Sequence, residues 1–149
     1  IDLLLGKKKA GNRVAFVGGG LTGCEIAYEL SMHGVQVSVV EMMDKILQTK
    51  NLAPPNSIMI RESFARYGVN VYTSAKLTEI TPNGVRFEQG GEDKVIAADT
   101  VVLAVGYESG APLAKELGEQ ANIHVIGDAD HVANLMDVVW ASYDLAMSL

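Results

Sequence analysis

The chain has 149 residues, of which 48% are hydrophobic, and a formal net charge of −6 at pH 7. This length and composition predict one core of ordinary domain size. The acidic balance argues against a nucleic-acid partner, because binding phosphates needs a concentrated basic face. No apolar run approaches the ~20 residues that cross a bilayer, so we expect a cytoplasmic protein without membrane contact. Its one cysteine cannot form an internal disulfide, and its three scattered histidines predict no metal site.

The first residues are typical of a linker. Lys7, Lys8 and Lys9 follow a short apolar stretch, which is the reverse of the charge order in a secretory signal. The chain also begins with Ile1. We therefore expect a cut inside a longer polypeptide, with residues 1–12 as the linker.

The next segment predicts a strand, a helix and a second strand. The apolar run 13–17 ends at glycines, and apolar residues then recur at helical spacing over 21–33. Gly34 ends this helix, and the run 35–41 has the continuous apolar character of a strand buried on both faces. Together these elements form a βαβ unit.

A second helix and a meander follow. Asn56 or Ser57 is placed to cap a helix that runs to Tyr67 and ends at Gly68. Turn residues favour hairpins farther along, so an antiparallel meander replaces the usual crossover helix. The predicted strands are 69–72, then 76–81, 85–88 and 94–97 in the meander, and finally a buried parallel strand at 100–105.

The remaining segment predicts a helix at 111–117, a strand at 123–126 and a closing helix at 133–149. The apolar residues of the closing helix, such as Leu135, Val139 and Tyr143, are available to cover the sheet. The predicted fold class is therefore α/β, a three-layer Rossmann-type fold. Its parallel sheet has the order 3-2-1-4 with an antiparallel β-meander crossover, and 123–126 is a candidate fifth strand.

The sequence Gly18-Gly19-Gly20-Leu21-Thr22-Gly23 matches the dinucleotide pattern G-x-G-x-x-G. The match follows a predicted strand and opens a predicted helix, which is the context the pattern needs. Gly18 allows a tight turn, Gly20 lets the backbone approach a pyrophosphate, and Gly23 lets the helix pack closely on the strand. We expect a positive φ at Gly20, so that a β-branched side chain there would add strain.

Glu41 ends the second predicted strand, about 20 residues after the glycine loop, where this fold places an acidic residue. Its carboxylate can accept hydrogen bonds from the adenosine ribose and would repel a 2′-phosphate. The sequence therefore favours NADH over NADPH. Lys45 leaves this open, because its ammonium group could reach a 2′-phosphate.

Several segments together resemble the pyridine nucleotide–disulfide oxidoreductase superfamily. They are GGGLTGCEIA at 18–27, VVE at 39–41, the meander, LAVGY at 103–107 and VIGDAD at 125–130. The run from Ile126 to Ala146 is most similar to the C-terminal region of 2-enoate reductase and 2,4-dienoyl-CoA reductase, in which a barrel like that of Old Yellow Enzyme precedes the flavin and nicotinamide domains.

Both nucleotide domains of that superfamily carry a glycine loop, and three features favour the NADH copy. The form GGGxxGxExA, with Glu25 in the first helical turn, resembles the nicotinamide-binding copy. The gap from Gly106 to Gly127 is too short for an inserted domain, and the opening basic linker fits a junction after a first FAD segment. The resemblance thus implies an NAD(P)H-binding domain at 13–110 and a piece of the FAD domain at 111–149, with 123–126 joining the FAD sheet.

The resemblance also implies residue roles. Glu25 would lie near the nicotinamide, although a glutamate there also suits the helix dipole. Ala104, Val105 and Gly106 would form the strand end that approaches the cofactor, unless they are ordinary buried strand. Asp128 would contact FAD, or else serve as a turn or capping aspartate. Cys24 has no redox partner in the sequence and is expected to be a small packed side chain.

The implied function is transfer of hydride from NADH to FAD, for reduction of an activated C=C bond of the 2-enoate or dienoyl-CoA type. FMN and a 4Fe–4S cluster would belong to the absent FAD and barrel domains of the same polypeptide. We assign no catalytic residue to this chain and expect it to be inactive alone. Two alternatives stay open: an NADH-sensing module without catalytic role, and a small FAD-binding module.

Overall fold

The computed structural model describes residues 3, 5–48, 52–118 and 123–149. The chain forms two compact units, Ile1–Val105 and Gly106–Leu149. No helix among the described residues is long and apolar enough to span a membrane. The assignment of 111–149 to a separate FAD domain stays a prediction.

The first unit is built on a parallel sheet of four strands, β1 (Arg13–Val17), β2 (Gln36–Val40), β3 (Asn70–Tyr72) and β7 (Thr100–Leu103), in the order β3-β2-β1-β7. This is the predicted order 3-2-1-4. The two central strands are buried at all but their first residue. The last strand is only half-buried, and Leu103 is 60% exposed. The expectation of a buried strand there is wrong because β7 lies at the sheet edge, with β1 as its one neighbour.

Helices α1 (Leu21–Met32) and α2 (Pro54–Tyr67) are the helical elements of this unit. Their buried residues, such as Ala27, Ile60 and Phe64, share one core with Phe16 and Val39 of the sheet. Gly68 ends α2 with φ 68°, as its sequence position predicts. The start of α2 differs from the prediction at Asn56 or Ser57, because prolines already fit the first helical turn, where no N–H partner is needed.

The meander consists of β4 (Ala75–Thr81), β5 (Gly84–Gln89) and β6 (Glu92–Ala97), paired as an antiparallel sheet. Its inward residues Val85 and Phe87 form a second core with Ala15, Val17 and Val40 of the parallel sheet. Alternate residues of β1 thus enter different cores, as strand geometry requires. The unit has three layers, and the predicted α/β fold with a meander crossover is confirmed.

The second unit contains α3 (Pro112–Leu117), a short 3₁₀ turn (Gly127–Ala129) and α4 (Leu135–Ser148). None of these elements has a buried residue. Leu135, Val139 and Tyr143, which the sequence predicts to cover a sheet, are 79%, 58% and 57% exposed. The strand expected at 123–126 is also absent: the backbone of Ile126 is extended, but no described strand pairs with it, and a strand needs a hydrogen-bonded neighbour.

Candidate functional site

The glycine loop joins β1 to α1 and reaches over the carboxyl end of β7. Gly18 has φ 102° and donates its N–H to the carbonyl of Val40, at 2.9 Å. A Cβ on Gly18 would lie 2.3 Å from the carbonyl oxygen of Ala104. Gly18 therefore combines a conformation that favours glycine with a backbone contact that excludes any side chain.

Gly23 lies inside the first turn of α1, buried beneath the loop. A Cβ there would come within 2.8 Å of the Ala104 side chain and 2.8 Å of the Gly18 carbonyl oxygen. Carbon atoms normally approach to about 3.5–4.0 Å. The helix can pack this closely on the strand end because residue 23 is a glycine.

Gly20 differs from both of these glycines. It is the N-cap of α1 with φ −70° and ψ 177°, which any residue adopts, so the expectation of a positive φ and of strain is wrong. The extended N-cap conformation explains the difference, because the turn that needs glycine is made at Gly18. A Cβ at Gly20 would meet no atom within 4 Å. The space beside Gly20 is therefore open, with no atom of the described residues in it.

The amino end of α1 points toward that space. No side chain caps the helix, and its first turn contains no acidic residue. Leu21, Thr22 and Gly23 therefore offer first-turn N–H groups that the helix itself cannot pair. These groups and the helix dipole favour an anionic ligand such as a pyrophosphate.

Glu25 is exposed and lies in the second turn of α1, so its predicted place in the first turn is wrong. The helix begins only at Leu21 and each turn takes about 3.6 residues. The suggestion that Glu25 complements the helix dipole loses its basis, because that effect fades beyond the first turn.

Glu41 follows β2 and its carboxylate faces the glycine loop. One oxygen, Oε2, accepts the N–H of Gly19 at 2.5 Å. The other, Oε1, accepts the N–H of Met43 at 2.7 Å. The residue is half-buried, and Lys45, the candidate for a 2′-phosphate, is exposed four residues later. The predicted acidic residue thus lies at the loop that it was expected to serve.

Segment 42–48, for which the sequence shows no periodicity, closes this side of the site. Leu47 is buried, has φ 61°, and donates its N–H to the carbonyl of Gly19 at 2.7 Å. Arg61 of α2 holds the preceding residue by donating to the carbonyl of Ile46 at 2.9 Å. Sequence analysis missed these contacts, because leucine rarely adopts a positive φ and gives no signal of it.

Cys24 is fully buried, and its thiol lies 3.3 Å from the carbonyl oxygen of Gly19. Burial raises the pKa of this thiol to about 12, and the negative charges of Glu41 and Glu25 also raise it, while Arg61 lowers it. The thiol is therefore neutral at physiological pH. The expectation of a small packed side chain is confirmed.

The remaining site candidates lie at the end of β7 and in the second unit. Ala104 donates its N–H to the carbonyl of Val17 at 2.8 Å, and Val105 is 73% exposed. Gly106 has φ 96° and begins the second unit. Asp128 is exposed in the 3₁₀ turn, where its carboxylate accepts the N–H of Ala133 at 3.4 Å. Among the described residues, no cluster of histidine, cysteine or carboxylate side chains could hold a metal ion.

Comparison with known proteins identifies the family. The sequence model for pyridine nucleotide-disulphide oxidoreductases matches residues 2–147. The chain belongs to this family. The resemblance found in the glycine loop, the meander and the VIGDAD run is thus confirmed.

Two relatives and one solved structure match nearly the whole chain. Cinnamate reductase of Clostridium sporogenes is 35% identical and NADH oxidase of Thermoanaerobacter brockii is 33% identical, each over 99% of this chain. The solved structure of 2-naphthoyl-CoA reductase in complex with 2-naphthoyl-CoA matches with a TM-score of 0.86, at 28% identity, over 99% of this chain. The chain spans 23% of the length of each of these proteins.

Proposed function

We propose that the first unit binds NADH and forms the nicotinamide-nucleotide domain of a flavin-dependent oxidoreductase. The observation that carries this proposal is the unused space at Gly20, directly in front of the uncapped amino end of α1. A helix amino end with free N–H groups suits a pyrophosphate. The family match supports an oxidoreductase, and the named relatives favour it over a sensing module or a small FAD-binding module.

Different residues around the glycine loop are proposed to bind different parts of the dinucleotide. The first-turn N–H groups of α1 bind the pyrophosphate, with Gly18, Gly19, Gly20, Leu21, Thr22 and Gly23 forming its cradle. The carboxylate of Glu41 accepts hydrogen bonds from the hydroxyls of the adenosine ribose. Its negative charge repels a 2′-phosphate. NADH is therefore preferred over NADPH, and Lys45 is the side chain that could weaken this preference.

The nicotinamide half extends toward Glu25 and the backbone at Ala104, Val105 and Gly106. These residues would orient the ring. When bound, NADH supplies hydride for a flavin, and the cofactors carry the electron chemistry while the protein provides geometry. This chain contributes binding and orientation, and we assign no catalytic residue to it.

The second unit is proposed to contribute to FAD binding through Asp128. Its carboxylate is exposed and makes one long hydrogen bond, which leaves acceptor capacity for a ligand hydroxyl. FMN and a 4Fe–4S cluster are proposed for other parts of the polypeptide, because a cluster of this kind needs four ligands and this chain has one cysteine.

The proposed overall reaction is reduction of a C=C bond conjugated to a carboxylate or a CoA thioester. Cinnamate, the substrate named for one relative, is a 2-enoate, and the solved relative is named for a CoA thioester. Both names fit the branch that the residues from Ile126 to Ala146 resemble. The substrate of this protein is a proposal on those grounds.

Calorimetric titration of the chain with NADH, with FAD as a second ligand, tests the assignment. We expect saturable binding of NADH at one site per chain and no comparable binding of FAD. Binding of FAD in place of NADH would show that the glycine loop belongs to a flavin site.

A further inference from the structure

Glu41 makes two hydrogen bonds that its proposed ribose contact does not require. We propose that Glu41 is the positioning residue of the glycine loop, holding Gly19 in place before any nucleotide binds. The inference rests on the proposed function for its effect on NADH, but the contact itself is a property of the ligand-free chain. It makes loop geometry and nucleotide choice depend on the same carboxylate.

The two oxygens of Glu41 hold different segments. Oε2 accepts from Gly19, which is buried, and Oε1 accepts from Met43 on the segment that follows β2. A buried N–H needs a partner, and a carboxylate gives a stronger bond than a neutral acceptor. Glu41 therefore provides the hydrogen-bond acceptor for the buried N–H of Gly19 and also bonds the start of the 42–48 segment.

The 42–48 segment holds the other side of the same residue. Leu47 donates its N–H to the carbonyl of Gly19 at 2.7 Å, and the thiol of Cys24 lies 3.3 Å from that oxygen. Both polar groups of Gly19 are thus bonded within the protein. A Cβ on Gly19 would lie 2.7 Å from Cγ2 of the buried Ile46 and 3.1 Å from Oε2 of Glu41. Glycine is favoured here even though the dinucleotide pattern allows any residue at this position.

The positioning role is compatible with ribose binding. A carboxylate has about four acceptor sites on its two oxygens. The N–H groups of Gly19 and Met43 use two of them, which leaves acceptor capacity for the two ribose hydroxyls. Nucleotide binding therefore does not require the loop to give up its contact with Glu41.

The positioning role changes the nucleotide affinity expected when Glu41 is replaced by a neutral residue. If Glu41 acted only by repelling a 2′-phosphate, its removal would increase the affinity for NADPH. If Glu41 also holds Gly19, its removal weakens NADH binding and offsets the gain in NADPH affinity, because the N–H groups that bind the pyrophosphate lose their fixed geometry. Pre-organisation contributes to affinity by reducing the ordering needed on binding.

The test compares Glu41→Ala and Glu41→Gln with the parent chain. Glu62→Ala is the matched control, since it removes the same charge from an exposed position on α2. Amide hydrogen exchange, read residue by residue by NMR without ligand, should be at least tenfold faster at Gly19 and Met43 in Glu41→Ala. Glu41→Gln keeps one acceptor oxygen and should protect one of the two amides. Glu62→Ala should match the parent.

Titration with both nucleotides completes the experiment. We expect Glu41→Ala to bind NADH at least tenfold more weakly than the parent does, and not to show the tenfold gain in NADPH affinity that loss of the like charge alone would give. Unchanged exchange at Gly19, or a gain of tenfold or more in NADPH affinity, would overturn the positioning role. A parent chain that binds neither nucleotide would contradict the proposed function, while the exchange rates of the ligand-free chain would still decide the role of Glu41. If Glu41→Ala fails to fold, Glu41→Gln still tests the role, because the amide that it leaves without an acceptor should exchange at least tenfold faster than in the parent.

Discussion

Alanine should destabilise the protein at Gly23 and leave its stability nearly unchanged at Gly20, although both glycines belong to the same pattern. A methyl group at Gly23 would overlap the Ala104 side chain and the Gly18 carbonyl oxygen, each at 2.8 Å. Overpacking of this kind costs about 1–3 kcal/mol. The higher helix propensity of alanine returns about 1 kcal/mol of that. Two simultaneous overlaps, one of them with backbone, place the cost in the upper half of that range, so we expect a net loss of roughly 1–2 kcal/mol for Gly23→Ala.

The control is Gly20→Ala, for which the added methyl group meets no atom within 4 Å and φ is −70°. Alanine is a poorer N-cap than glycine, but it also lowers the entropy of the unfolded chain, and the two effects are each below about 1 kcal/mol. We therefore expect a change within about 0.5 kcal/mol.

Thermal and urea unfolding of the two variants beside the parent chain measure this difference. In a chain of 149 residues 1 kcal/mol corresponds to roughly 2–4 °C in Tm, so Gly23→Ala should melt measurably earlier. The double variant Gly23→Ala/Ala104→Gly removes one of the two overlaps and should recover part of the loss. Equal stability of Gly23→Ala and the parent would refute the close packing of α1 on the end of β7.

Three further predictions concern the cofactors and the thiol. NADH should bind the parent chain at least tenfold more tightly than NADPH, a difference of ~1.4 kcal/mol that like charge at Glu41 can supply; equal affinities by calorimetry would contradict it. The chain should purify colourless and without NADH oxidase activity, because its single G-x-G-x-x-G match is assigned to NADH and no second loop is present to bind a flavin. Stoichiometric flavin absorbance would show that this loop belongs to a flavin site. The pKa of Cys24 rises from 9.0 to about 12 on folding, so the folded state binds more protons between these values and stability should fall as pH rises above 9; Cys24→Ala should lose this part of the slope, and a thiol that reacts readily with a disulfide reagent at pH 7 would contradict its burial.

The first unit could be predicted well because local signals and tertiary structure agree there. The sequence predicts β1 at its observed bounds and predicts that α2 ends at Gly68, as it does. Turn residues between the short strands, namely proline, asparagine and glycine, predict the hairpins of the meander. These features depend on neighbours in sequence, so the sequence alone contains them.

The segment after β2 could not be predicted, because its structure depends on distant partners. Leu47 adopts a positive φ since its side chain is buried and its N–H is bonded to Gly19. No local rule assigns a leucine to that conformation. The bond between Glu41 and Gly19 has no signal in the sequence for the same reason, since it joins residues 22 positions apart.

In the second unit, sequence patterns predict a strand and a buried helix face that the described residues do not form. Residues 123–126 have the composition of a strand, but strand formation requires a neighbour that no described segment supplies. The apolar residues of α4 have the spacing of a buried face and stay exposed. The chain spans 23% of the length of the named relatives.

The central claim is that a dinucleotide binds with its pyrophosphate at Gly20, in front of the amino end of α1. Titration of Gly20→Val with NADH, beside the parent chain, tests it most directly. The valine side chain would enter the open space, while φ −70° lets the variant fold without backbone strain. We predict that the folded variant shows no measurable binding of NADH where the parent saturates. Retention of the parent's affinity would contradict the claim and place the dinucleotide elsewhere.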